Sequence, residues 1–165
     1  MRKVTVIFCL LLLACSVALC ACDGNLVEEE GTLVELSTWF FTSGVPNNLI
    51  EVKHSDPNAK FQLTADNGEF YEGGGEWAQS VTRDNGEVAT WQCFSSEIKL
   101  AYVDVIVRVG DDIVGYAVIK ISQHAESTLS YDAKVVKSIV FPKVAGEYQK
   151  VSQKQIEAKI KAAKD

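Results

Sequence analysis

Between Ala59 and Ile121 the chain alternates apolar and polar residues in short runs, and most runs stop at a glycine-bearing turn. A period of two puts successive side chains on opposite faces of a strand, so such runs bury one face and wet the other. Phe61, Leu63 and Ala65 share a face of the first run, opposite Gln62, Thr64 and Asp66. Ala89, Trp91 and Cys93 share another, as do Val103, Val105, Val107 and Val109, and then Ala117, Ile119 and Ile121. Asp66-Asn67-Gly68 and Asp84-Asn85-Gly86 punctuate the series with residues that accept positive φ at low cost. Gly110-Asp111-Asp112 reads as a hairpin loop. With Thr32–Phe41 and Leu49–His54 upstream, about seven to eight short strands are expected, the number and spacing of an all-β sandwich.

The front of the chain follows a different rule. Met1-Arg2-Lys3 is basic, and Val4 to Ala21 is apolar apart from Thr5, Ser16 and three cysteines. That is the layout of a secretory signal over residues 1–21, not of a fold element. The run is also about long enough to span a bilayer as a helix, but its flanks fit a signal better. It ends in Leu19-Cys20-Ala21-Cys22, which resembles the lipobox of bacterial lipoproteins: Leu three places before, a small residue just before, then the cysteine that receives the lipid. The resemblance implies lipidation of Cys22, cleavage before it, and a mature protein held in the cell envelope on the periplasmic or surface face of a bacterial membrane. Each buried acyl methylene contributes about 0.8 kcal/mol, so several chains hold where one does not. Leu12-Leu13-Ala14-Cys15 is a poorer match, since it leaves a very short apolar core. With Cys22 lipidated, Cys93 is the one remaining cysteine, and the mature domain holds together by packing alone.

Residues 22–31 (CDGNLVEEEG) read as an acidic tether between lipid and domain. Glu28-Glu29-Glu30 is a solvated spacer in the simplest reading and a membrane-sorting signal in the other. From Cys22 to Ala133 there are six basic and nineteen acidic side chains; from Lys134 to Asp165 there are eight and three. An acidic body argues against a nucleic-acid partner. The basic tail suits contact with that body, or with an anionic lipid or polymer.

FQLTADNGEF, SVTRDNGEVATW, YVDVIVRVG and GYAVIKI, in that order, resemble bacterial immunoglobulin-like domains of the invasin and intimin kind. Thr82, Gly86 and Ala89 match that family's strand entry, and the resemblance covers roughly residues 48–122. It implies an immunoglobulin-like sandwich over residues 32–126, acting as a spacer or adhesive module, with no catalytic residues to carry over.

Residues 127–165 form an extension. Lys134–Phe141 is a possible extra strand, stopped by Pro142. Ser152 and Gln155 fit a capping box for a short basic helix over 152–164. Its stripe of Ile156, Ile160 and Ala163 is thin, which predicts a peripheral helix.

Catalytic signatures are absent. No nucleophile elbow, phosphate loop or dinucleotide motif occurs, and no cofactor is expected. His54 and His124 stand on different segments, and neither has a ligand set around it in sequence. The carboxylate pairs Asp66/Glu69 and Glu72/Glu76 fall where acidic residues gather anyway, in and beside turns. Asp66, Asp84, Asp111 and Asp112 would suit calcium only if the fold clustered them. Cys93 reads as a small core residue beside Trp91. Trp39-Phe40-Phe41 in one strand would leave a ring on each face, so either a second layer covers both faces or one ring is exposed. Phe70, Tyr71 and Trp77 flank Gly73-Gly74-Gly75. Aromatics at a loop can stack on sugar rings; the other reading is that Trp77 folds back as a lid over the sandwich end.

Overall fold

The computed structural model describes residues 26–42, 48–93, 98–124 and 130–165. Among them are twelve strands and one helix: β1 (Glu29–Glu30), β2 (Val34–Leu36), β3 (Phe40–Thr42), β4 (Leu49–Val52), β5 (Lys60–Ala65), β6 (Glu69–Gly73), β7 (Glu76–Ala78), β8 (Ser80–Asp84), β9 (Val88–Gln92), β10 (Leu100–Val109), β11 (Asp112–Gln123), β12 (Ser130–Val140) and α1 (Gln153–Lys164). The signal segment, Cys22 and most of the Gly44–Asn48 turn lie outside the described residues.

All pairings are antiparallel, in two sheets. The large sheet runs β1-β12-β11-β10-β5-β8, with β3 also on β12, and the small one runs β2-β4-β9-β6-β7. The β2-β4-β9-β6 row facing β5-β10-β11 has the A-B-E-D against C-F-G order of an immunoglobulin-type sandwich. The alternation in β5 is met in full: Phe61, Leu63 and Ala65 are buried, and their neighbours are exposed. Val103, Val105 and Val107 of β10 and Ala117, Ile119 and Ile121 of β11 face the same core. Trp91 sits inside, its ring 6.0 Å from Phe41 and 5.8 Å from Tyr131. Cys93 is fully buried, with Sγ 3.4 Å from the Tyr131 hydroxyl.

Both Asp-Asn-Gly turns carry the chain from one sheet to the other. The first joins β5 to β6 and the second β8 to β9. Gly68 has φ +78°, and a Cβ there would lie 2.5 Å from Trp91 Nε1. The position therefore needs glycine both for its backbone conformation and for the approach of the indole.

Three parts differ from the sequence reading. The sandwich does not stop at residue 126, because β12 pairs with β11 over most of its length and extends the large sheet. The tether is shorter than residues 22–31, since Glu29 and Glu30 pair with Val140 and Ile139 and Val27 is bonded to Gln149. The helix is not peripheral. Ile156 and Ile160 are buried against Ile106, Tyr116, Val118, Ile139 and Phe141 on the outer face of the large sheet. A stripe two isoleucines wide suffices because the sheet supplies the rest of this second core. The larger strand count has two sources: Thr32–Phe41, expected as one strand, gives way to β2 and β3 in different sheets, and β1 and β7 fall where the sequence reads as tether and loop.

The helix begins as its sequence implies. The Ser152 side chain accepts from Gln155 N, and the Gln155 side chain accepts from Ser152 N. At the other end the Tyr102 hydroxyl donates to Lys164 O at 3.2 Å, and Lys164 Nζ lies 2.8 Å from Asp104 Oδ2. Replacing Ile156 with Ala is expected to lower the unfolding free energy by about 2–4 kcal/mol, while Ala158→Ser on the exposed face changes it by less than about 0.5 kcal/mol. Urea unfolding of the two variants checks this.

Candidate functional site

Strands β6 and β7 form a hairpin at the edge of the small sheet, closed by Gly73, Gly74 and Gly75, all with positive φ. Tyr71 and Trp77 are directly opposite each other in its register. Their ring centroids are 5.3 Å apart and the planes are inclined by 55°. Tyr71 is 39% exposed and Trp77 half-buried. The Tyr71 hydroxyl accepts from Gly75 N at 3.3 Å. Arg83 fixes the hairpin from β8, donating to Tyr71 O at 2.8 Å and Val88 O at 3.1 Å. Two of the three aromatics expected to act together are therefore together. Phe70 is not among them: strand alternation turns it inward, opposite Trp91, and buries it completely.

A second constellation joins residues far apart in sequence. A groove of about 480 Å³ lies between the turn after β4 and the segment after β12, and His54, Asp56, Lys143 and Tyr148 line it. Asn85, in the second Asp-Asn-Gly turn, clamps one wall: its Oδ1 accepts from His54 N at 2.7 Å, and its Nδ2 donates to His54 O at 2.8 Å and Asp56 O at 3.2 Å. His54 Nδ1 accepts the Asp56 N–H at 3.0 Å, so the neutral ring carries its hydrogen on Nε2. That Nε2 is buried and meets no hydrogen-bond partner among the described residues. Burial lowers the pKa of His54, against the opposing pull of Asp56.

Asp56 is saturated. Its Oδ2 accepts the Tyr148 hydroxyl at 2.7 Å, and its Oδ1 accepts from Asn58 N at 3.0 Å and Asn58 Nδ2 at 3.3 Å. The Tyr148 bond first, then the Asn58 bonds, hold the carboxyl below its usual range. Burial, followed by Asp56 itself, pushes Tyr148 up to about 12. Lys143 Nζ sits 4.4 Å above the Tyr148 ring, a cation–π contact. With the Nδ1 lone pair on a backbone amide and three hydrogen bonds on Asp56, the group forms a brace that ties the segment after β12 to the Asp56–Pro57 turn. The sequence shows only the His54-Ser55-Asp56 half of it; nothing in the pattern points to Tyr148.

The remaining candidates are dispersed. Lys60 pairs with Asp84 in the β5–β8 register, whereas Asp66 follows the far end of β5, where its Oδ1 accepts from Tyr102 N at 2.7 Å. Asp66 thus lies at the opposite end of the sheet from Asp84, Asp111 and Asp112, and the described residues contain no group of three His, Cys, Asp or Glu arranged to hold a metal ion. Glu72 and Glu76 are exposed on the hairpin. His124 Nδ1 lies 3.1 Å from both carboxylate oxygens of Asp132. A groove of about 350 Å³ between α1 and the outer face of β5 and β10 holds Asp104, whose pKa is raised by burial although Lys164 pulls the other way. Trp39 is 68% exposed, so the exposed-ring alternative for the aromatic triplet is the one observed, with Phe41 buried. Cys22 lies outside the described residues.

Scans of protein-family models, curated proteins and solved structures find no match to this chain.

The brace has a measurable signature. Because the folded-state pKa of Asp56 is depressed, its contribution to stability is present above its ordinary value and is lost as pH falls through the lowered one. In Tyr148→Phe the Asp56 carboxyl titration, followed by NMR, is expected to move upward, and acid unfolding to begin at higher pH. An unchanged titration would show that the hydroxyl does not bond Asp56 in solution.

Proposed function

We propose that the chain is an exported bacterial lipoprotein, held on a membrane through an acylated Cys22, and that its sandwich works without catalysis as a structural, adhesive or accessory module of the cell envelope. The observation that carries this reading is the succession of a basic start, an apolar run and Leu19-Cys20-Ala21-Cys22. Two features of the body support it. The core is closed by packing, with Cys93 buried beside Tyr131, which suits a domain that has no disulfide to rely on among its described residues. In the His54 groove, Nδ1 of the ring and the Asp56 carboxylate are engaged by the Asp56 amide and by Tyr148 and Asn58, which favours a brace over a reaction centre. The partners proposed are the bilayer and, beyond it, another envelope protein or a polysaccharide. Expressed in a producing bacterium with labelled palmitate, the wild-type protein is expected to take up label and stay with the membranes. Cys22→Ser is expected to lose both; continued labelling of that variant would remove Cys22 as the anchor.

A second reading rests on the Tyr71–Trp77 pair, whose neighbouring and partly exposed rings suit stacking on a sugar. Phe70 takes no part in it. On this reading, titration with envelope polysaccharide shifts the tryptophan emission of the wild type and leaves that of Trp77→Phe unchanged. Equal shifts in both would count against a sugar site at the hairpin.

A further inference from the structure

We propose that the edge of the large sheet built by β1, β12 and β3 rests on the bilayer surface, with Trp39 in the headgroup layer. This orientation depends on the reading of Cys22 as the lipid anchor.

Chain length sets the first constraint. Leu26 is four residues beyond Cys22, and four residues fully extended reach about 14 Å at most. Leu26 packs against the cluster between α1 and the large sheet. Val27 is held by a pair of bonds with Gln149, N to Oε1 at 2.8 Å and Nε2 to O at 2.9 Å. Glu28 is ion-paired with Lys159, and Glu29 and Glu30 are zipped onto the end of β12. An anchor at Cys22 therefore keeps the β1 end of this edge close to the membrane.

The far end of the same edge carries the second constraint. Trp39 O accepts from Ala133 N at 2.7 Å, which places Trp39 beside β12. Ala133 is seven residues from Val140, about 24 Å along the strand. Trp39 is the most exposed large apolar side chain among the described residues, and tryptophan favours the interface between water and lipid. Val27, Val135 and Val144 are also exposed, and lie on this edge or on the loop that continues it. Tyr71, Val88 and Leu100 are the exposed large apolar residues elsewhere. A body pinned at one end could stand upright; an exposed tryptophan at the other end favours lying flat.

The edge itself fits a headgroup layer. β3 pairs with β12 up to Asp132, and β1 begins at Ile139. Between them, no strand among the described residues pairs with the outer side of Lys134–Lys137. Open edges invite pairing with other chains, and a bilayer would cover this one. Lys134, Lys137 and Lys143 are offset there by Glu29, Glu30 and Glu147, so the contact does not require anionic lipid.

The orientation decides what faces outward. A row across the large sheet runs Glu29, Val140, Gly115, Val107, Phe61, Arg83. Arg83, with the Tyr71–Trp77 hairpin it holds, is five strand spacings from β1, about 24 Å. The aromatic pair is then presented on the side away from the membrane.

The test uses the lipidated full chain in phosphatidylcholine vesicles that carry a spin-labelled lipid. The protein is expected to float with the vesicles and its tryptophan emission to be quenched. Trp39→Phe should lose most of the quenching and Trp77→Phe should keep it. Quenching that persists in Trp39→Phe, quenching that disappears in Trp77→Phe, or none in a floating protein overturns the orientation while leaving the anchor in place. Failure to float overturns both.

Discussion

The contact of the Trp91 ring with the elements around it organises this fold. The indole lies between the sheets, stacked at 30° on Phe41 and edge-on at 83° to Tyr131. Its N–H donates to Asn67 O at 3.2 Å, which satisfies the one polar atom that burial would strand. Its backbone N–H donates to Asn48 O, and the Asn48 side chain bonds both N and O of Thr42. Phe41 and Tyr131 are register partners in β3 and β12, so two edge elements converge on one ring. Gly68 lets the first inter-sheet turn pass against the indole. A domain with no internal disulfide among its described residues depends on such packing to join its sheets.

The part of the large sheet beneath α1, centred on β11, is buried on both sides, and this links the fold to its proposed anchoring. β11 is buried along most of its length, facing the sandwich core on one side and α1 on the other. The cluster under α1 also receives Leu26. The helix therefore seals a second core and fixes where the N-terminal segment leaves the body. Loss of helix docking would free the same residues that hold the chain next to Cys22.

The inner faces are legible in the sequence because one-sided burial imposes a period of two, and β5, β9, β10 and β11 place the expected residues inside, with Val109, beyond the register shift in β10, only partly buried. The turn chemistry was legible too, but not its destination: a positive φ at Gly68 or Gly86 does not say whether the chain returns in the same sheet or crosses to the other. The docked helix left a trace that the alternation masked. Ile106, Tyr116 and Val118 are apolar on the supposedly wet face, and near-continuous apolar runs mark strands covered on both sides. The pairing of Glu29 and Glu30 left none, since it is made by backbone groups beneath exposed side chains. Phe70 turns inward because the hairpin strands run into the glycines, β6 ending at Gly73 and β7 starting at Glu76, so strand alternation sets its side where the sequence suggests one loop. The bond between Asp56 and Tyr148 spans two distant segments, and only the folded chain brings them together.

The account joins an N-terminal anchor to a sandwich whose first described residues are already fixed to its body. Its most direct test is the intact mass of the protein extracted from the membranes of a producing bacterium. The predicted result is a chain that begins at Cys22 and carries a diacylglyceryl group on sulfur, with or without a further acyl chain on its amino group. A chain that still begins at Met1, or one that begins at an unmodified residue, would contradict it.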